Sequence, residues 1–233
     1  MKSMVRISCV IAAYNEATRI GNVLSVIHDH PGLEEVIVVD DGSHDSTAEV
    51  VRRYPDVKLI VQEVNSGKSR AIVRGAVEAR GEYMLTLDAD LQNLTKEHIS
   101  LLTAPVQSGT ADVTISIRQN SLAIYRAIGL DFCSGERAFP RRLVVDHAEE
   151  IKALSRFGVE SFLNGLIIKE KMRIRIVSLR GLINTLKMKK IGFVRGLIAE
   201  TKMLGDVLRV ISPIEVIRQN YWMLKLARKE RGT

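Results

Sequence analysis

The sequence predicts an α/β fold, a Rossmann-like and mostly parallel sheet covered by helices on both faces. Three observations carry that prediction. Apolar runs alternate with stretches of helical periodicity over roughly the first hundred residues. The runs are almost continuously apolar, as strands buried on both faces are, and each ends in a polar cluster. Ile7 to Ala13 reads as the first strand and stops at Tyr14, Asn15 and Glu16. Ile20, Val23, Leu24 and Ile27 follow at helical spacing, and His30, Pro31 and Gly32 end that helix.

A second strand, Val36 to Val39, runs into Asp40, Asp41, Gly42 and Ser43. Ser46 and Glu49 have the spacing of a capping box for a helix reaching about Tyr54. Val57 to Val61 is the third strand. The turn Asn65, Ser66, Gly67, Lys68 opens a helix to about Ala79, and a fourth strand, Tyr83 to Leu87, ends at Asp88, Ala89 and Asp90. Ligands of such sheets bind outside the carboxyl ends of the strands, so the four clusters should face one crevice. Further on, Val113 to Ile117 reads as a strand, and Met172, Ile174 and Ile176 alternate with Arg173 and Arg175 as a half-exposed one. From about Gly192 two helices are expected, divided at Ser212 and Pro213.

Composition narrows the class. With 233 residues, 46% of them hydrophobic and 26% charged, the chain supports one good core and is short for two. Two cysteines, Cys9 and Cys133, make no disulfide framework and no CxxC pair, so a reduced, cytoplasmic protein is expected. No apolar run approaches the ~18 residues of a membrane span, and the N-terminus lacks the apolar core of a signal peptide. On these grounds a secreted scaffold, a zinc finger or an integral membrane protein is not expected.

Charge is unevenly placed. The net charge is +7, yet from Leu166 onward there are sixteen Lys and Arg against five Asp and Glu, a balance of +11 that leaves −4 for the rest. A mildly acidic body with a basic tail implies a polyanionic partner, nucleic acid or an anionic membrane surface. The expected division is 1–185 for the α/β body and 186–233 for a basic, amphipathic helical tail. Across the start of that tail Leu182, Ile183, Leu186, Ile191, Phe193, Val194, Leu197 and Ile198 interleave with Lys187, Lys189, Lys190 and Arg195. Such a pattern can lie in an anionic interface, with Tyr221, Trp222 and Lys225 as an added anchor, or pack on the body with a solvated basic face.

The sharpest chemical signal is Asp88 and Asp90 at the mouth of a buried strand. Two carboxylates held that close repel unless a cation or protons neutralise them. Mg²⁺ or Mn²⁺ suits oxygen ligands, with substrate phosphates completing the shell and Gln92 as a further oxygen. Asp40 can accept from a base or ribose beside a glycine that permits close approach, or simply cap a turn. Lys68 and Arg70 can meet phosphates from a helix start. The loop before them is no Walker A motif, because Gln62 stands where a glycine is required. His28, His30, His44, His98 and His147 show no metal spacing, and no GxSxG elbow exists.

Taken together, Val10 to Glu16, Val38 to Ser43, Asn65 to Lys68 and Asp88 to Gln92 resemble the family 2 glycosyltransferases. The Asp88-Ala89-Asp90-Leu91-Gln92 form and Ser134 to Phe139 resemble the polyprenyl-phosphate sugar transferases of the dolichyl-phosphate mannosyltransferase type. The resemblance implies a GT-A fold and inverting, metal-dependent transfer from a uridine- or guanosine-diphosphate sugar. By that match Ala13, Tyr14, Glu16 and Asp40 line the nucleobase pocket and Lys68 serves the nucleotide. Asp88 sits at the ribose and metal edge, and Asp90 and Gln92 hold the ion. A lipid-phosphate acceptor is already an anionic nucleophile, and Arg118, Arg126 and Arg137 are its expected cations. A sugar-hydroxyl acceptor of a polysaccharide or glycolipid would need a carboxylate base, Glu136 or Asp131. The implied setting is the cytoplasmic membrane face, attached peripherally, with homo-oligomers left open. A nucleotide- or nucleic-acid-binding module without turnover is the alternative of another class. The Asp88 and Asp90 pair and the lack of interleaved aromatics weigh against nucleic acid.

Overall fold

The computed structural model describes residues 5–121, 123–154, 158–184 and 212–229. Its first half follows the predicted alternation: β1 (Ile7–Ala13), α1 (Ile20–Ile27), β2 (Glu35–Asp40), α2 (Thr47–Val51), β3 (Val57–Val61), α3 (Lys68–Glu78) and β4 (Tyr83–Asp88). A two-residue β5 (Leu91–Gln92) and α4 (Lys96–Gln107) follow, then β6 (Val113–Arg118), α5 (Ala123–Ile128) and β7 (Arg137–Pro140). The chain goes on through α6 (Arg142–Val145), α7 (Ala148–Lys152), α8 (Gly158–Lys169), β8 (Ile174–Leu179), β9 (Ile183–Asn184) and α9 (Pro213–Lys229).

The main sheet has the order β3-β2-β1-β4-β7-β6-β8. All neighbours pair in parallel except β7, which runs antiparallel to both β4 and β6. Reversing one strand between two parallel neighbours has a consequence for function. The carboxyl ends of β1, β2, β4, β6 and β8 share an edge with the start of β7, so Asp40, Asp88, Arg118 and the residues just before Arg137 converge there. Helices on both faces divide the core in two. One cluster centres on Val10, Ile37, Val39 and Phe139 with α3 and α8, and the other on Ile11, Val38 and Leu85 with α1 and α4. Gly75 lets α3 settle on β1, since a Cβ there would stand 2.3 Å from Val10 Cγ1.

Several local expectations are corrected. Ser46 begins α2 but its side chain caps nothing, and the helix ends at Val51 rather than near Tyr54. Thr47 turns its hydroxyl to accept from the Glu16 amide at 2.9 Å, so this segment ties down the first loop instead. A capping box occurs elsewhere, at Thr95 and His98 of α4. Leu182 is buried and Ile183 lies in β9 against Gln92, so neither starts an amphipathic helix. The rest of that stretch, 186–198, and the first of the two expected C-terminal helices lie outside the described residues. Pro213 does open a helix as expected, and the Ser212 hydroxyl accepts from the Glu215 amide at 3.2 Å.

Candidate functional site

At the β1 and β2 ends the two loops are stitched together. The Asn15 amide donates to Ser43 Oγ at 2.9 Å, and the His44 amide to Asn15 Oδ1 at 2.9 Å. Asn15 holds a positive φ of 55°, which asparagine tolerates better than most residues. Ala13 is buried at the strand end, Tyr14 is exposed with its ring edge-on to His44, and Glu16 is ion-paired with Arg19. Asp40 is buried and accepts from the Ser43 amide at 3.0 Å, an Asx-type turn.

The neighbouring Asp41, which the sequence motif did not single out, anchors the next loop. Its carboxylate accepts from Gln62 Nε2 at 2.7 Å, Ser66 N at 2.8 Å, Ser66 Oγ at 3.0 Å and Gly67 N at 2.8 Å. Gly42, at φ 71°, passes so close that a Cβ would lie 2.6 Å from the Val64 carbonyl carbon. The loop that launches α3 is therefore held from β2, and Lys68 at its end is aimed across the sheet edge.

Lys68 Nζ bridges two carboxylates, donating to Asp88 Oδ1 at 3.0 Å and to Glu160 Oε1 of α8 at 2.9 Å. Burial works against its charge, but Asp88 and Glu160 outweigh that and hold the amine above its ordinary range. Asp88 closes β4. Burial favours its protonated form, yet Lys68 and Arg118 overcome this and keep the carboxyl below the usual range. Gly135 stands directly against it, for a Cβ there would lie 2.7 Å from Asp88 Oδ1. Asp90 follows in the turn and Gln92 in β5, each half-buried and engaged in the protein.

A second ionic group lies beside the first. Arg118 Nη1 donates to both Glu136 oxygens at 2.7 Å, comes within 3.8 Å of Asp88 Oδ2, and Nη2 lies 3.7 Å from Asp131. Glu136 is completely buried and also accepts from Ser116 Oγ and Ser134 Oγ, both at 2.9 Å. Asp131 is buried too, accepting from Ser121 Oγ at 2.6 Å. These contacts bear on the expectation of a base here, since both carboxylates are committed to partners within the protein. The Glu136 carboxylate has no solvent access and is locked to an arginine and two hydroxyls.

The three predicted arginines part company. Arg118 and the exposed Arg126 line one groove of about 420 Å³ between the β6 and β8 ends, joined by Arg180, which the sequence pattern did not mark. Arg180 follows β8 directly, and only the strand order brings it to Arg118. Arg137 is different. It is buried in β7, with donors taken by the Ser134 and Phe132 carbonyls and by Asn164 Oδ1 at 3.0 Å. It braces the loop carrying Gly135, and with Lys68, Asp88 and Glu160 it lines a small cavity of about 20 Å³ rather than the groove of Arg118 and Arg126.

Residues 8–136 match the family model described as glycosyl transferase family 2. The chain belongs to that family. Its family 2 segment is 39% identical over 99 residues to a dolichyl-phosphate beta-glucosyltransferase of Trichomonas vaginalis, covering 37% of this chain and 31% of that protein. It is 30% identical over 164 residues to an undecaprenyl-phosphate 4-deoxy-4-formamido-L-arabinose transferase of Pseudomonas paraeruginosa, covering 59% of this chain and 48% of that one. The match thus spans less than half the length of either relative. Glucosyl-3-phosphoglycerate synthase from Mycobacterium tuberculosis, solved with Mn²⁺ and UDP-glucose, superposes with a TM-score of 0.64 at 23% identity, over 84% of this chain and 77% of that one. The family 2 chain therefore has the expected GT-A fold, with β7 as the antiparallel strand within it.

The donor set of the family 2 site suits a hard divalent ion only in part by itself. Among the described residues no group of three His, Cys, Asp or Glu side chains gathers closely enough to hold one. Asp88 at the end of β4, Asp90 in the turn after it and Gln92 in β5 are side chains of the oxygen-donor type. That fits Mg²⁺ or Mn²⁺ whose remaining positions are filled by substrate phosphates and water.

Proposed function

We propose that this protein is an inverting glycosyltransferase that moves a sugar from a uridine- or guanosine-diphosphate donor to a polyprenyl phosphate at a membrane surface. The observation that carries the reading is the juxtaposition, on one sheet edge, of the Asp88–Asp90 turn and the groove lined by Arg118, Arg126 and Arg180. The relatives that act on dolichyl and undecaprenyl phosphates support it by name.

In this reading Tyr14 and Asp40 bound the nucleobase, and Lys68 turns from Asp88 and Glu160 toward the donor diphosphate. A divalent ion held by Asp88, Asp90 and Gln92 would supply Lewis-acid stabilisation of the departing diphosphate. The groove arginines seat the acceptor phosphate, placing an anionic oxygen against the anomeric carbon on the face opposite the leaving group. The new bond forms as the bond to the diphosphate breaks, and no proton need be removed. That matches a site in which Glu136 and Asp131 are both committed to Arg118. A polysaccharide- or glycolipid-forming transferase that relies on Glu136 as base is disfavoured by the same contacts.

The test is sugar transfer from UDP-glucose, GDP-mannose and related donors to a short polyprenyl phosphate, with Mg²⁺, with Mn²⁺ and with chelator. One donor should turn over in a metal-dependent way, and Asp90→Ala should stop it while the protein remains folded. Transfer to a free sugar but not to polyprenyl phosphate would overturn the acceptor assignment.

A further inference from the structure

The C-terminal helix α9 has two faces of opposite character. Its inner face is fixed. Met223 and Ala227 are buried in the same core cluster as Val10 of β1, with Val216, Leu224 and Leu226 packed against it. The buried Gln219 accepts from Ser161 Oγ at 3.1 Å and donates to the Ser161 carbonyl at 3.3 Å, locking α9 to α8 in one rotation. With that face spoken for, the outer stripe has no partner among the described residues of the fold.

Along that outer stripe Ile214 is 78% exposed, Ile217 70%, Tyr221 60% and Trp222 40%. Exposed isoleucines at this spacing cost solvation in water and gain nothing from the protein. They are flanked by cations: Lys225 Nζ sits 4.7 Å from the Trp222 ring centre, and Arg218 is also exposed on the stripe, paired with Glu215. Tyr221 packs edge-on against Trp222. Isoleucine with Tyr, Trp and Lys side by side is the chemistry of a headgroup boundary, where apolar atoms go down and amphipathic tips stay wet.

We infer that the outer face of α9, from Ile214 through Ile217, Tyr221 and Trp222 to Lys225, docks on an anionic bilayer surface. Charge complementarity selects this occupant. The chain from Leu166 onward carries +11 against −4 for the remainder, so the stretch of sequence to which α9 belongs is the one an anionic surface attracts. A second copy of the same face would bring Arg218 and Lys225 against their counterparts, which is repulsive. Among the described residues no helix is long and apolar enough to cross a membrane, so the contact is interfacial. The inference rests on the lipid-acceptor reading only for its purpose. Ser161, which holds α9, is the chain neighbour of Glu160, which holds Lys68, so α8 would fix the site's height above the lipid.

The experiment is co-sedimentation of the full chain with vesicles of phosphatidylcholine alone or with about a third phosphatidylglycerol. The fluorescence of Trp222, the sole tryptophan, is followed in parallel. Binding to the anionic vesicles with a blue shift is expected, and little binding to the neutral ones. Ile217→Ser combined with Tyr221→Ser should weaken binding by at least about tenfold. Lys225→Ala should weaken it by roughly fivefold, the loss of one cation near the surface. All these positions are exposed, so the circular dichroism and melting temperature should be those of the parent. Failure of the parent to bind anionic vesicles would overturn the inference. So would undiminished binding by the Ile217/Tyr221 variant, or concentration-dependent dimerisation that the same substitutions abolish. No donor or transfer enters the measurement, so its failure is distinct from failure of the transferase reading.

Discussion

The two halves of the sheet edge are built in different ways. In the β1–β4 half each site residue stands at or just after the strand that presents it: Ala13 and Tyr14 at β1, Asp40 at β2, Asp88 at β4. In the β6–β8 half the groups meet across long separations, with Arg118 on Glu136 and Asp131, and Lys68 on Glu160 of α8. The first half is a set of local turns that a ligand can enter. The second is an ionic network that supports Asp88 from behind. The lesson is that an arginine beside a site can be spent on the protein itself: the Arg137 guanidinium is taken up by the Ser134 and Phe132 carbonyls and Asn164, whereas Arg118 and Arg126 line a groove.

Substitutions can break this contrast, beginning with the largest effect. Asp90→Ala should lower sugar transfer by roughly a thousandfold with the melting temperature nearly unchanged, because in the proposed reaction the lost group would serve charge developing on the departing diphosphate. Arg118→Ala should lower transfer as well, by removing a cation of the groove, and should in addition destabilise the fold by about 3–5 kcal/mol, leaving the buried Glu136 carboxylate without its cation. Urea denaturation reads that loss, and adding Glu136→Gln should recover part of it. A stability unchanged by Arg118→Ala would mean the second half is no network at all.

Gly135→Ala tests the contact between the halves. Its Cβ would press on Asp88 at 2.7 Å, so transfer should fall about tenfold or more for a cost of about 1–3 kcal/mol in stability. Glu160→Gln should have the smallest effect on stability, within about 1 kcal/mol, since the Lys68 amine is partly exposed and keeps Asp88. Its signature would be in donor affinity, measured by calorimetry, because Lys68 is freed of one of two competing carboxylates. Acid offers a further probe. The Asp88 carboxyl is held below its ordinary range, so its contribution to stability is complete above the unfolded carboxylate pKa of about 3.9 and is lost as pH falls through the lower folded value. Donor-free melting curves below pH 4 should therefore show less acid sensitivity in Asp88→Asn than in the parent.

How much was legible follows from the same contrast. β1 and β3 were readable to the residue and β2 and β4 to within one, because each is a continuous apolar run with a polar stop. Their turns presented Asp40, Asp88 and Asp90 in plain view. The antiparallel β7 was not readable, since Arg137, Ala138, Phe139 and Pro140 give no alternation and are all buried. Arg180, Glu160 and Asp41 carried no local signal either. Asp41 looked like its neighbour Asp40, and only the approach of the 62–67 loop separates their roles. Ser46 shows the opposite error, a correct local pattern overridden because the neighbouring Thr47 was needed by a distant loop.

The sequence by itself determined the alternating elements, the family 2 motifs, the carboxylate pair at the end of β4 and the basic bias of the C-terminal third, all of which depend on residues close together in the chain. The tertiary structure decided which charges neutralise one another, which arginines face a groove, that Glu136 is sealed, and which side of α9 is left in water. The reason is physical. Periodicity and turn chemistry are set within a few residues, whereas desolvation and Coulomb energy depend on distances that only strand order and helix packing fix.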